Sequence, residues 1–472
     1  MKVLYVSSEA LPFAASGGLA DVAGSLPQAL RARHVACRVV MPLYGTVRQE
    51  LRAEMKFITN IMVPVSWRRQ YCGIFEARAN GVIYYLIDNE YYFKRDTLYG
   101  HYDDGERFAF FARAVLEILP YLDFKPDIIH CNDWQSALVP VYYSTMYANR
   151  EGYTGIKTVF TIHNIQYQGI YGKEILGDLF GFGEEHASLL EFGDCINLMK
   201  GGIECADRVT TVSKTYAEEI LDPWFSHGLH PILNERRYKL SGILNGIDTV
   251  NYDPETDPQI FANYSAKDPS GKAANKAGLQ EWFNLPVHPE VPVIGIVTRL
   301  VAHKGLDLIK RVMWELLSNA DLQLVVLGSG DAEYEDFFRS LAGAFPGKVG
   351  LRIGFVPDLA RKIYAGSDLF LMPSKSEPCG LSQMVALRYG TVPIVRETGG
   401  LKDTITDSGD GKGNGFTFKS YDAYDMLDAI YRALGAYSDR DYWPTLVLRA
   451  LKCDNSWGRS AREYIKLYES IL

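Results

Sequence analysis

The chain has few cysteines, no long apolar run and no biased tract, and each absence removes a class of protein. Seven cysteines are scattered through 472 residues with no CxxC pair. That spacing argues against a disulfide framework and against a structural zinc. No stretch of about 18 apolar residues occurs, the length at which a membrane helix is considered. The start, Met1-Lys2-Val3-Leu4-Tyr5-Val6, runs into a polar turn and lacks the pattern of a signal peptide. Basic charge is short as well. Net charge is -8 and pI is near 5.7, which speaks against a broad nucleic-acid surface. Low-complexity segments are missing, and so is the GxGxxG fingerprint of NAD binding. We expect a cytoplasmic protein.

What is there fits a large globular enzyme. Hydrophobic residues make up 47% and charged residues 22%, so the chain can bury a sizeable core. Its length calls for two or three domains. Thirty tyrosines are a mild excess, and tyrosine both stacks on sugar faces and hydrogen-bonds.

Short β-branched runs alternate with segments of helical spacing, which predicts an α/β fold of doubly wound parallel sheets. Residues 2–7, 38–41, 83–87, 127–130, 157–162 and 208–212 read as strands of the first half. Residues 293–297, 322–327, 351–353, 369–372 and 392–395 read as strands of the second. The Pro- and Asp-rich stretch 252–258 marks the change of domain. In such sheets ligands sit at the carboxyl ends of the strands, and the polar motifs of this chain fall there.

The richest is Ser374-Lys375-Ser376-Glu377-Pro378-Cys379-Gly380-Leu381, between an apolar strand and a helix stopped by Gly390. The helix start offers N–H groups to an anion such as a diphosphate. Glu377 can accept hydrogen bonds from sugar hydroxyls, and Gly380 lets a ligand approach the backbone. Thr398-Gly399-Gly400 follows the next strand. Arg299 and Lys304 flank a strand-to-helix turn, where both can reach a diphosphate, although a solvated basic pair would look the same. Near the start, Ser16-Gly17-Gly18 precedes a helix whose apolar face is Leu19, Val22, Ala23, Leu26 and Leu30. Its glycines either present bare N–H groups to a ligand or simply turn the chain. Asp133 and Trp134 stand at one strand end, as a sugar subsite or as an N-cap with a packed Trp. His163 ends another strand. Tyr91, Tyr92, Tyr99 and Tyr102 form a Tyr-rich insertion, equally readable as a carbohydrate platform or as a packed loop.

The ordered set of motifs resembles the bacterial glycogen synthase and plant starch synthase family over essentially the whole chain. It rests on Ser16-Gly17-Gly18-Leu19-Ala20-Asp21-Val22, Met41-Pro42-Leu43-Tyr44, Asn132-Asp133-Trp134, Thr161-Ile162-His163-Asn164 and Gly242-Ile243-Leu244-Asn245-Gly246-Ile247-Asp248. In the second half it rests on Arg299-Leu300, Lys304-Gly305, Glu377-Pro378-Cys379-Gly380-Leu381 and Thr398-Gly399-Gly400-Leu401.

The resemblance implies a GT-B fold, with two facing Rossmann-like domains and a deep cleft. An acceptor-side domain would span 1–245 and a nucleotide-sugar domain 246–456, with a final helix, 457–472, returning to the first. It implies a retaining glucosyltransferase that passes glucose from ADP-glucose to the non-reducing end of an α-1,4-glucan, glycogen or a maltooligosaccharide. No metal or other cofactor is implied.

By the same resemblance, Glu377, His163, Arg299 and Lys304 carry the chemistry. Ser16, Gly17, Gly18, Phe355, Cys379, Gly380, Leu381, Thr398, Gly399 and Gly400 hold the nucleotide sugar, with Phe355 on the adenine. Asp133, Trp134, Asn245 and Tyr92 meet the acceptor. One departure stands out: the family's lysine ahead of Gly-Gly-Leu, which touches the donor diphosphate, is Ala15 here. UDP-glucose as donor, or a weakly active glucan-binding or priming subunit, therefore remain alternatives. Oligomeric state is not legible.

Overall fold

The computed structural model describes all residues, 1–472. The chain divides into two compact units: Met1–Asn245 with Trp457–Leu472, and Gly246–Ser456.

The first unit is built on a nine-stranded sheet. Strand Lys2–Val6 lies near its centre, and Val3, Leu4, Tyr5 and Val6 are buried, as expected for a parallel strand covered on both faces. From it the chain steps outward through parallel strands Ala36–Pro42 and Val82–Asp88. It then returns to the other side of Lys2–Val6 with Ile128–Asn132. Lys157–Ile162, Arg208–Thr211 and Leu240–Gly242 continue that way, all parallel. The reversal falls between Lys2–Val6 and Ile128–Asn132, whose carboxyl ends part to leave a crevice.

Helix Gly18–Arg31 buries Leu19, Val22, Ala23, Leu26 and Leu30, the face its spacing predicts. The last helix, Trp457–Glu469, packs against it with Trp457, Tyr464 and Tyr468 buried. The Tyr468 hydroxyl meets His130 Nδ1 at 2.7 Å, and His130 Nε2 meets Thr161 Oγ1 at 2.6 Å.

Two strands at the sheet's edge, Lys56–Val65 and Arg68–Ala79, form an antiparallel hairpin that the sequence reading does not contain. The Tyr-rich insertion also resolves by residue. Tyr91 and Tyr102 are exposed, but Tyr92 is wholly buried, packs on Phe110 and donates to Glu106 Oε1 at 2.5 Å. The expected acceptor role of Tyr92 is therefore corrected: its ring belongs to the core because Asn89 caps a short helix that turns it inward.

The second unit repeats the plan with six strands, all parallel. The chain runs from Val293–Val297 outward through Gln323–Gly328 to Val349–Ile353. It comes back beside Val293–Val297 with Leu369–Met372, then continues through Val392–Arg396 and Phe416–Phe418. Its reversal point lies between the ends of Val293–Val297 and Leu369–Met372. Below it Ile294, Ile296, Leu308, Ile309, Val312, Leu324, Leu371 and Ile394 form one buried cluster. Helix Ala423–Ser438 closes that cluster, with the Asp422 side chain accepting from the amides of Tyr424 and Asp425.

Candidate active site

Both reversal points carry polar side chains. In the second unit Arg299 follows strand Val293–Val297, and Lys304 closes the turn that opens helix Leu306–Asn319. Gly305 takes φ +76° there, and a Cβ would lie 2.0 Å from the Pro373 carbonyl oxygen, so the turn requires glycine. Strand Leu369–Met372 leads into the Ser374–Leu381 turn. There Lys304 Nζ donates to Glu377 Oε2 at 2.7 Å, and Ser374 Oγ donates to the same oxygen at 2.9 Å. Lys304 and Glu377 are nearly buried, which holds the pair in one geometry. Arg299 is exposed. Burial, then the neighbouring Lys304 and Arg299 charges, hold His303 below the usual histidine range, against Glu377 and Asp331, which pull it up.

Gly380 stands at φ +71° and leads into helix Ser382–Arg388, with Cys379 buried beneath it. Gln383 Nε2 donates to the carbonyls of Cys379 and Gly380 at 3.1 and 2.9 Å and ties the turn to the helix. Thr398, Gly399 and Gly400 lie behind this turn and are buried. The Gly400 amide donates to the Glu377 carbonyl at 3.1 Å. These three residues back the turn. Phe355 follows strand Val349–Ile353 and is 89% exposed, an unshielded ring beside the same strand ends.

In the first unit Asn132, Asp133 and His163 form one device. Asn132 Nδ2 donates to the Val6 carbonyl, which turns its Oδ1 outward as acceptor. That oxygen takes the Tyr5 hydroxyl at 2.9 Å and His163 Nε2 at 2.8 Å. Burial lowers His163 to about 3, so its ring is neutral. The proton therefore sits on Nε2, and Nδ1 keeps a lone pair that can accept from a hydroxyl. Asp133, at φ 55°, accepts the His163 amide at 2.7 Å. Its carboxylate anchors the histidine turn, so it acts on the backbone of this loop.

Trp134 is 9% exposed and packs edge-on to Phe108, near Tyr171, the packed alternative among its two readings. Asn245 is buried and its Oδ1 has no hydrogen-bond partner. Ser16, Gly17 and Gly18 are exposed, as is Ala15. Sequence reasoning missed Glu9, a buried carboxylate that accepts the amides of Ser16 and Gly17. Its signal was an acidic residue in the short polar segment after the first apolar strand. It also missed Ser374 and Asn132 as the partners that orient Glu377 and His163.

Burial pushes the Asp133 carboxyl up to about 7, against the His163 and Asn164 amides, which pull it down, while nearby Glu9 adds to the rise. An unfolded aspartic acid gives up its proton near 3.9, whereas the folded one keeps it until about 7. Acid thus favours the folded form, and the contribution fades as pH rises from about 4 to 7. Asp133→Asn does not titrate and retains an oxygen for the His163 amide. Relative to wild type, its stability rises across that window by on the order of 2–4 kcal/mol and is level above it. Denaturant unfolding of both proteins at each pH checks this; a pH-independent difference contradicts it.

Comparison with known proteins agrees with the geometry. Residues 2–235 match the family model described as starch synthase catalytic domain, and residues 281–444 match glycosyl transferases group 1. A glycogen synthase of Geobacillus thermodenitrificans is 52% identical over 100% of this chain and 98% of its own. One from Bacillus cereus is 50% identical over 100% of both. The catalytic domain of starch synthase IV from Arabidopsis thaliana, solved bound to ADP and acarbose, superposes with TM-score 0.91. It is 36% identical and the match covers 99% of each chain. A sucrose-phosphate synthase from Thermosynechococcus elongatus, 17% identical with TM-score 0.61, covering 100% of this chain and 98% of its own, shares the fold. No helix is long and apolar enough to cross a membrane. The chain belongs to the glycogen and starch synthase family of glycosyltransferases, with the GT-B fold.

Proposed function

We propose that this protein is a glucan synthase that transfers glucose from ADP-glucose to the non-reducing end of an α-1,4-glucan, such as glycogen or a maltooligosaccharide, with retention of configuration. The observation that carries the reading is the Lys304–Glu377 pair at the strand ends of the second unit. A carboxylate fixed by an ammonium and a hydroxyl accepts sugar hydroxyls in one orientation, and a neighbouring cation meets the departing diphosphate.

The roles follow from the groups available. Glu377 orients the donor glucose. Lys304 and Arg299 neutralise the charge that grows on the leaving phosphate, the task a metal performs in other transferases, and the reading calls for no cofactor. Phe355, an exposed ring, stacks on the adenine, and the Cys379–Leu381 backbone meets the glucose or diphosphate. His163, neutral with Nδ1 open, accepts from a glucose hydroxyl; it does not serve as a general acid, because burial denies it the proton. The Asn245 amide oxygen, buried and unpartnered, is suited to a substrate hydroxyl. We place the protein in the cytoplasm.

Exposed Ala15, where the family resemblance leads one to expect lysine, keeps UDP-glucose in the test as second donor. Purified protein with glycogen elongates the glucan from ADP-glucose, more slowly from UDP-glucose, and continues in EDTA. Faster transfer from UDP-glucose would change the donor. Activity lost in EDTA and restored by magnesium or manganese would overturn the metal-free reading.

A further inference from the structure

Glu9 closes the segment Ser7-Ser8-Glu9 after the first strand and is 3% exposed. Its Oε2 accepts the Ser16 amide through a short hydrogen bond and the Gly17 amide at 3.3 Å. Gly17 is the N-cap of helix Gly18–Arg31. The titratable groups that act most on Glu9, or feel it, are acids and phenols. Asp21 faces it from the helix, Asp133 from a neighbouring strand end, and Tyr44 and Tyr99 from the loops beyond. Burial pushes its carboxyl up, and the Ser16 amide and hydroxyl and the Gly17 amide pull it down.

This arrangement decides which amides of the turn are open. If those of Ser16 and Gly17 swung to a diphosphate, buried Glu9 would lose both of its backbone donors and keep at most the Ser16 hydroxyl, an expensive state. The carboxylate therefore keeps them. The amides beyond, Gly18 and Leu19, belong to the first helical turn and have no intrahelical acceptor. A Cβ on Gly18 would meet nothing within 4 Å, so the space before it is open.

We propose that Glu9 is the positioning residue of the phosphate-binding turn: a resident anion that pins the Ser16 and Gly17 amides and so aims those of Gly18 and Leu19 at the donor diphosphate. The inference rests on the reading that this turn meets the donor. It matters more in this chain because Ala15 brings no ammonium, so the turn recognises phosphate through backbone groups, whose aim is everything.

Steady-state kinetics of the full-length protein test it, with ADP-glucose and glycogen varied in turn for Glu9→Ala, Glu9→Gln and Gly18→Val. Glu9→Ala raises KM for ADP-glucose about tenfold or more, with KM for glycogen unchanged. Glu9→Gln keeps an acceptor oxygen and stays within about threefold of wild type. Gly18→Val, which obstructs the open amides, raises KM for ADP-glucose whatever Glu9 does. If Glu9→Ala leaves that KM unchanged while Gly18→Val raises it, the turn meets phosphate and the role given to Glu9 is wrong. If neither moves it, the turn does not meet the donor and both readings fall. Equal losses for Ala and Gln, spread over both substrates, also overturn the proposal, because an ordinary packing defect would behave that way.

Discussion

Glu377→Ala lowers kcat by a factor on the order of 10² or more while the protein stays folded. Glu377 is 8% exposed and receives Lys304 and Ser374 on one oxygen. Two donors on one oxygen hold the wild-type carboxylate in place. Alanine removes the group that orients the sugar and also releases Lys304, which then finds its place near the leaving group by chance. Two contributions to transition-state geometry vanish together, which is why the loss falls on turnover. The scaffold survives because the Glu377 backbone, not its side chain, accepts the Gly400 amide. Turnover measured at saturating donor, with a thermal melt alongside, checks this. A folded variant with near-normal kcat would reduce Glu377 to a partner for Lys304.

Gly400→Ala produces a loss of similar size from a residue that needs to touch no ligand. A Cβ at position 400 would lie 1.9 Å from the Cys379 carbonyl oxygen and 2.5 Å from the Cys379 Cα. Those are backbone atoms and cannot swing aside. The turn that carries Glu377 must therefore lift off helix Gly399–Thr404, or the helix must retreat. Overpacking of this kind costs about 1–3 kcal/mol, and a displacement near 1 Å at a positioned carboxylate costs about 10² in rate. Gly435 provides the contrast within the same unit. It lies in helix Ala423–Ser438, and a Cβ there meets nothing within 4 Å. Gly435→Ala leaves activity untouched and stabilises by up to about 1 kcal/mol through helix propensity. The comparison of kcat/KM and melting temperature across the two variants decides the matter. Full activity in Gly400→Ala would mean that the turn tolerates being moved.

How much of this was legible in the sequence varies by element. The buried parallel strands are readable because both faces are covered, so they appear as short apolar runs such as Val293–Val297 and Leu369–Met372. The polar motifs then fall at their carboxyl ends, which is enough to bring Lys304 and Glu377 into one neighbourhood. The hairpin Lys56–Val65 and Arg68–Ala79 is not readable, because its two-residue turn is Ser66-Trp67, with Ser66 at φ 54°. Neither Asn-Gly nor Asp-Gly announces it. Tyr92 and Trp134 mislead for another reason. An aromatic beside a carboxylate looks alike in a sugar platform and in a packed corner, and only the direction of the local chain separates them. Glu9 escapes because its partners are backbone amides, which leave no side-chain signature. The tautomer of His163 is equally invisible, since it depends on the Val6 carbonyl turning the Asn132 amide.

The link from Tyr468 to His130 has a consequence for how the chain is made. A ribosome releases residues 1–245, then all of the second unit, and only afterwards the helix Trp457–Glu469. Until that helix emerges, the nascent first unit leaves Tyr5 and His130 without the Tyr464 and Tyr468 rings that cover them. It also leaves one side of helix Gly18–Arg31 without its partner. The second unit has no such debt, since its strands and helices lie in one uninterrupted stretch. Order of synthesis and order of completion are thus reversed: the half translated first is the half finished last, and it passes through an interval with an open apolar seam, the kind of surface that chaperones hold.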